Sequence, residues 1–287
     1  MQENRASQSA EGTAALRADH LLHDAEPVFQ DTFALELLSP SMRELVSSGG
    51  FRAILEEKEL RPTQGHIVAR ARYAEEQLER VVAKGVDQYV VLAAGLDSYL
   101  LREGGRNPGL SIYEIDFPAS QRDKLARLAR LEQKVPDACH FIPIDFERER
   151  LPDALAGTGF DGARRAFFSW IGVVMYLSRD AIFAALEGMR EAAAPGSEVV
   201  FDYPVSWERL EPRVREIAAE KTEALAQAGE RRLLTFEPDV LSADLANLGF
   251  EVVAQLSSEQ LDQRYFASRR DGLRANPENW IGHFRST

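Results

Sequence analysis

Cysteine is nearly absent from this 287-residue chain. Cys139 stands alone, which excludes an intrachain disulfide framework and a cysteine metal cage. No apolar run approaches the roughly 18 residues that a membrane-spanning helix needs. The opening MQENRASQSAEGTAALRADH has no hydrophobic segment of the kind a secretory signal carries, so cytoplasm is the expected compartment. Histidine is sparse, and His20, His23, His66, His140 and His283 form no HExxH-like spacing, so no metal site is expected. Positive charge is in deficit: 34 Lys and Arg stand against 46 Asp and Glu, a net charge of −12. Such a field disfavours nucleic acid and anionic membranes, because phosphate binding needs a positive footprint. There is no internal repeat and no long low-complexity tract.

What remains is an ordinary soluble composition, 45% hydrophobic and 28% charged, long enough for one large core with an appendage. Residues 1–19 are small and polar and read as a disordered tail. Residues 20–85 read as a helical N-terminal cover. It contains FALELL, SMRELV and the long IVARARYAEEQLERVVAK, where Ile67, Ala71, Ala74 and Leu78 recur at helical spacing before Gly85. From residue 86 to 287 the period changes. QYVVLAA, SIYEI, HFIPI, RRAFFSW and EVVFDY are short β-like runs separated by helical patterns such as SRDAIFAALEGMREAAA. Strand alternating with helix predicts an α/β fold, a Rossmann-like, doubly wound sheet. GFEVVAQL (249–256) and QRYFASRR (263–270) are separated by too few residues for a crossover helix, and read as an antiparallel closing hairpin. The expected sheet has seven strands, mostly parallel, with the last reversed. A helical insertion at about 204–240 could join the N-terminal cover over the carboxyl edge, where such sheets bind ligands.

One turn bears chemistry. VVLAAGLDSYLLR (90–102) leaves a strand at a single glycine, Gly95, and then becomes acidic at Asp97. A dinucleotide loop carries G-x-G-x-x-G to admit a pyrophosphate, and here the positions read Ala93-Ala94-Gly95-Leu96-Asp97-Ser98. A carboxylate beside the loop repels a pyrophosphate but suits an ammonium or sulfonium. That moves the expected ligand from NAD toward S-adenosylmethionine. The alternative is an ordinary turn with Asp97 as a helix cap. In YEIDFP, Asp116 closes the second strand about where a ribose-binding acid is expected, and a carboxylate can accept both hydroxyls. It could instead only cap the helix starting at Phe117-Pro118.

LAAGLDSYLLR, YEIDFP, IPIDF and FFSWIGVVMYLS, in that order, resemble the leucine carboxyl methyltransferase-like family of class I S-adenosylmethionine-dependent methyltransferases. The resemblance runs from about residue 25 to 270 and includes bacterial O-methyltransferases of polyketide and other secondary metabolism. It implies S-adenosyl-L-methionine as cofactor and S-adenosyl-L-homocysteine as product. It also implies Arg70 on the methionyl carboxylate, with Arg72 as competitor; Ala93, Ala94 and Gly95 beneath the cofactor, with Asp97 beside them; Asp116 on the ribose; and Asp145 and Phe146 beside the adenine. The sequence departs from the family twice. Ile171 replaces a glutamate, whose contact Ser169 or backbone groups could supply, and Tyr99 replaces an arginine that often follows the first loop.

Methyl transfer from a sulfonium is an in-line displacement, so the protein mostly positions the reactants and excludes water. The absence of Ser-His-Asp, Cys-His or metal constellations is consistent with that. An ionised carboxylate acceptor needs no base, whereas a phenol benefits from one. Candidate bases are His66, Tyr203 and Asp202; candidate substrate walls are Tyr73, Trp170 and Trp207. The expected activity is O-methyl transfer to a carboxylate or hydroxyl of a small, polyketide-like metabolite. Nucleic acid and membranes are not expected partners, and the protein is expected to be a monomer or homodimer. Competing readings are methylation of a protein C-terminal carboxylate, a nicotinamide-dependent oxidoreductase, and a catalytically silent cofactor-binding scaffold.

Overall fold

A computed structural model describes residues 8–227 and 234–287. The chain begins with four helices, α1 (Gln8–His23), α2 (Pro40–Ser47), α3 (Gly50–Glu57) and α4 (Arg61–Val82). Strands and helices then alternate: β1 (Gln88–Leu92), the single turn α5 (Tyr99–Arg102), β2 (Ser111–Asp116), α6 (Pro118–Arg130), β3 (Cys139–Pro143), α7 (Leu151–Leu155), β4 (Phe167–Trp170), α8 (Arg179–Ala192) and β5 (Glu198–Pro204). After β5 come α9 (Pro212–Gln227), α10 (Pro238–Asn247), β6 (Phe250–Leu256), the short α11 (Ser258–Leu261) and β7 (Asn279–Ser286).

The seven strands form one sheet in the order β3-β2-β1-β4-β5-β7-β6, with β7 antiparallel to both neighbours and β1 to β5 parallel. Central parallel strands are covered on both faces, so they read as continuous apolar runs rather than alternating ones. QYVVL of β1 is accordingly buried at all five positions. Local signals set the helix ends: the Ser178 hydroxyl accepts from the Ala181 amide to start α8, and Gly85, at φ +86°, turns the chain out of the last turn of α4 toward β1. Two large apolar clusters lie on opposite faces of the sheet, one around Trp170, Phe201 and Phe284, the other around Leu78, Tyr89 and Phe266. Strand order reverses between β1 and β4, and there the loops at their carboxyl ends splay apart.

Three expectations are corrected. The tail reading fails for residues 8–19, which belong to α1; residues 1–7 lie outside the described residues. Ala14, Ala15 and Ala18 of α1 are buried, and Gln64 of α4 donates to the Leu16 carbonyl (2.9 Å) and to Asp19 (2.8 Å). Small side chains let the two helices approach closely, and Arg17 and Asp19 of α1 find their partners far along the chain, on the Leu96 carbonyl and on Arg52 and Gln64. Next, 263–270 is not a strand: Asp262–Phe266 is a π-helical turn anchored by the buried Leu261 and Phe266. The reversed strand is NWIGHFRS, whose polar letters hide a burial of six positions in eight. Finally, the insertion at 204–240 holds α9 and the start of α10, yet none of its described residues lines the cleft described below.

His283 explains how a polar sequence becomes a central strand. Its Nε2 lies 2.8 Å from Glu198 and its Nδ1 lies 3.0 Å from the Tyr73 hydroxyl. Arg80 and Arg285 also pair with Glu198. Burial alone would raise the Glu198 carboxyl, but the His283 bond and the two guanidiniums hold it at about 2, well below the ordinary carboxylate range. A depressed acid stabilises the fold above its unfolded pKa, near 4.5, and loses that contribution as pH falls toward its folded value. Glu198→Gln should therefore cost about 1.5–3 kcal/mol at neutral pH. It should also flatten the fall of melting temperature between about pH 4.5 and 2 relative to wild type. An unchanged acid limb in a thermal-shift series would contradict that assignment.

Candidate functional site

β1 ends at Leu92, and the backbone must then bend sharply to enter α5. Ala93 (φ +51°) and Gly95 (φ +50°) both take left-handed backbone. Alanine pays about 1 kcal/mol for this and glycine does not. The bend is held from the neighbouring strand: Asp116 Oδ2 accepts the Gly95 amide at 2.6 Å, and its Oδ1 accepts the Phe117 amide at 2.7 Å. Burial raises the Asp116 pKa, and these two amides oppose the rise. Each carboxylate oxygen keeps a further lone pair for a ligand hydroxyl. Asp97 accepts the Tyr99 amide at 2.8 Å, closing the turn that enters α5, and it also lines the cleft.

The cleft opens over this bend, with a volume of about 510 Å³. Its floor is Val91 to Asp97; one side is Asp116, Phe117 and Ser120, continuing to Ile144–Arg148 after β3. The opposite side is Ile171, Gly172, Val173, Tyr176 and Leu177 after β4, together with Ile67, Arg70 and Ala71 of α4. Helix α1 closes the remaining wall through Ser9, Ala10, Thr13 and Arg17. The contact is close: a side chain at Gly95 would meet Ala10 Cβ at 3.2 Å. Arg17 donates to the Leu96 carbonyl (2.7 Å) and to Asp31 (2.7 Å), and Asp31 also accepts the Ser98 hydroxyl (2.5 Å). Burial would raise Asp31, but the charges of Arg17 and Arg102 outweigh it and leave it below the ordinary carboxylate range.

Arg70, Ala93, Ala94, Gly95, Asp97, Asp116, Asp145 and Phe146 are thus brought to one cleft. Arg72 is not: it points to solvent and pairs with Glu76 at 2.7 Å. Nor is Ser169, which is buried mid-sheet beside Val91 and bonds to the Tyr89 hydroxyl. His66 is buried against Asp202 at 3.2 Å, and burial lowers its pKa. Tyr203 is fully buried and accepts from Gln255 at 2.9 Å. Trp170 packs in the core against Phe146 and Phe201, and Trp207 packs against the same core. Tyr73 faces His283 instead of the cleft. His66, Tyr203, Ser169, Tyr73, Trp170 and Trp207 are therefore withdrawn from the cleft wall: strand alternation or helix phase turns the first five into the core, and Trp207 is half-buried in the turn after β5, packed against the core edge.

The α1 residues and the Arg17–Asp31 pair escaped the sequence reading. They lie 14 positions apart, and no local pattern couples them. Among the described residues no group of His, Cys, Asp and Glu is placed to hold a metal ion, and no helix is long and apolar enough to cross a membrane. The wall instead offers a buried carboxylate at the end of β2, a glycine that admits a ligand against the backbone, and a guanidinium across the cleft. Those groups fit a nucleoside that carries an amino-acid tail.

Residues 10–190 match the family model described as leucine carboxyl methyltransferase. The chain is 27% identical over 296 aligned residues to YktD of Bacillus subtilis (strain 168), a protein provisionally named as an S-adenosyl-L-methionine-dependent methyltransferase; the match covers 96% of each. SCO7813 of Streptomyces coelicolor, named in the same way, is 35% identical over 134 residues, 46% of each chain. Two solved structures share the fold. A DUF574 family protein from Streptomyces avermitilis aligns with a TM-score of 0.62 at 12% identity, over 96% of this chain and 97% of that one. A provisionally assigned methyltransferase from Thermobifida fusca aligns with a TM-score of 0.60 at 16% identity, over 95% and 94%. On the family match, and with the cleft at the reversal of its sheet, the chain belongs to the leucine carboxyl methyltransferase family of class I S-adenosyl-L-methionine-dependent methyltransferases.

Proposed function

We propose that this protein transfers a methyl group to a carboxylate oxygen of a small, polyketide-like organic acid. In this reading Asp116 accepts the ribose hydroxyls of S-adenosyl-L-methionine, and Asp145 and Phe146 flank its adenine. Arg70 faces its methionyl carboxylate, and the Ala93–Gly95 backbone passes beneath. Bound there, the cofactor supplies a methyl group already activated on a sulfonium. The side chains then hold the two partners in line and keep water out; α1 and the apolar Ile67, Ile171, Val173 and Leu177 serve the second task.

The choice of acceptor rests on the composition of the cleft wall. Its described residues include no histidine, lysine or cysteine, and His66 is buried on Asp202. A carboxylic acid, with pKa about 4, arrives ionised and needs no base, whereas a phenol near 10 would have to lose its proton. Asp31, held below the ordinary range by its arginines, is too weak a base for a phenol. The family description, which names a carboxyl acceptor, agrees.

Two outcomes follow. Asp116→Ala should weaken S-adenosylhomocysteine binding by about tenfold or more, the loss of hydrogen bonds to a charged acceptor, measured by calorimetry. Unchanged affinity would remove the ribose site from Asp116. Incubated with a panel of carboxylic acids and phenols, the enzyme should yield a product one methylene heavier that mild alkali cleaves back to the acid. Its kcat should stay flat between about pH 6 and 8, since no group on the acceptor titrates there. An alkali-stable product, or a rate rising steadily with pH, would favour a hydroxyl acceptor instead.

A further inference from the structure

Asp202 is fully buried near the end of β5, and three groups, two from α4 and one from the loop after β4, converge on its carboxylate. Arg70 Nη1 of α4 donates to Oδ2 at 2.7 Å, the Gly172 amide after β4 donates to Oδ1 at 2.6 Å, and His66 Nε2 lies 3.2 Å from Oδ2. Gly172 is itself shaped for this contact. It sits at φ +83°, and a Cβ there would lie 2.6 Å from Arg70 Nη2. The peptide after β4 and the guanidinium are therefore packed against each other, with one carboxylate joining them. A neutral acceptor would satisfy the Gly172 amide equally well; a full charge buried here needs a reason beyond that bond.

We propose that Asp202 is a positioning residue for the cofactor's amino-acid end, an inference that rests on the cofactor site proposed above. Asp202 fixes the guanidinium through Nη1, so that the fork of Arg70 meets the methionyl carboxylate in one orientation instead of a fan of rotamers. Its charge also offsets that of Arg70, so the arginine does not leave an uncompensated positive charge in a site meant for a sulfonium. Ile171 stands beside Gly172 and lines the cleft without a charge, so the negative charge on this side comes from Asp202 beneath it. Asp202 does not line the cleft, so it acts through Arg70 and not on the ligand.

Two ligands separate this role from a general one in folding: S-adenosylhomocysteine, which has the amino-acid tail, and 5′-methylthioadenosine, which lacks it. By calorimetry, Asp202→Asn should weaken S-adenosylhomocysteine about tenfold or more, while 5′-methylthioadenosine stays within about twofold of wild type. Arg70→Lys should show the same selectivity, and the double variant should be little weaker than Arg70→Lys alone, because coupled residues do not add. Equal weakening of both ligands by Asp202→Asn, no weakening of either, or additive losses would overturn the proposal. If Asp202→Asn does not fold by circular dichroism, His66→Gln tests the same point by loosening the carboxylate. A smaller loss confined to S-adenosylhomocysteine is then expected, and a loss shared by both ligands, or none, overturns it. Failure of wild type to bind either ligand would instead defeat the cofactor site itself.

Discussion

The bond between the Gly95 amide and the Asp116 carboxylate, 2.6 Å long, ties the first strand–helix turn to the end of the adjacent strand. The same carboxylate starts α6 through the Phe117 amide, so one buried acid sets the exits of both β1 and β2. Its surroundings depend on that junction. The Ala94 amide bonds the Ile115 carbonyl and the Ile144 amide bonds the Asp116 carbonyl, which aligns the ends of β1, β2 and β3 along one rim. An acid is expensive to bury, and two amide donors lower that cost without using up its capacity to accept from a ligand. A turn made rigid in this way also sustains the left-handed alanine at position 93, a strain that a looser loop would relax.

The cleft combines carboxylates and guanidiniums in a chain whose net charge is strongly negative. Asp31 is bound to Arg17 and lies near Arg102, and Asp202 is bound to Arg70. Asp31 in the cleft wall and Asp202 behind it are thus paired with arginines from α1, α4 and α5, while Asp116 is hydrogen-bonded by the Gly95 and Phe117 amides. This divides the wall into a side suited to neutral hydroxyls and a side suited to an ionised tail. Helix α1 contributes to both stability and site, since Arg17 latches onto the cofactor loop and Ala10 rests against Gly95.

The alternation of apolar runs and helical patterns was enough to read the doubly wound sheet, because parallel strands covered on both faces must be continuously apolar. The acid at the end of the second strand and the single glycine of the first turn were legible for a similar reason: each is demanded locally by backbone geometry. Where burial is polar, the text misled. The start of α1 looked like a tail because its anchors are alanines and the buried Asp19 pairs with Gln64 and Arg52 far along the chain. β7 was not picked out as a strand, because a strand interior holding His283 and Arg285 makes sense only once Glu198 and Tyr73 are beside it.

Side-chain direction was equally beyond local reach. Trp170, Tyr203 and His66 sit at or near strand and helix ends close to the cleft in sequence, yet each turns into the core, and only the pleat and helix phase decide that. The sequence by itself determined the fold class, the position of the ligand rim and the residue types of the cofactor loop, since these follow from periodicity and backbone sterics within a few residues. The tertiary structure alone decided which arginine enters the cleft, what closes it and which acid lies behind that arginine. Those choices depend on contacts between groups far apart in the chain, such as Arg17 with the Leu96 carbonyl and Arg70 with Asp202, that no local pattern encodes.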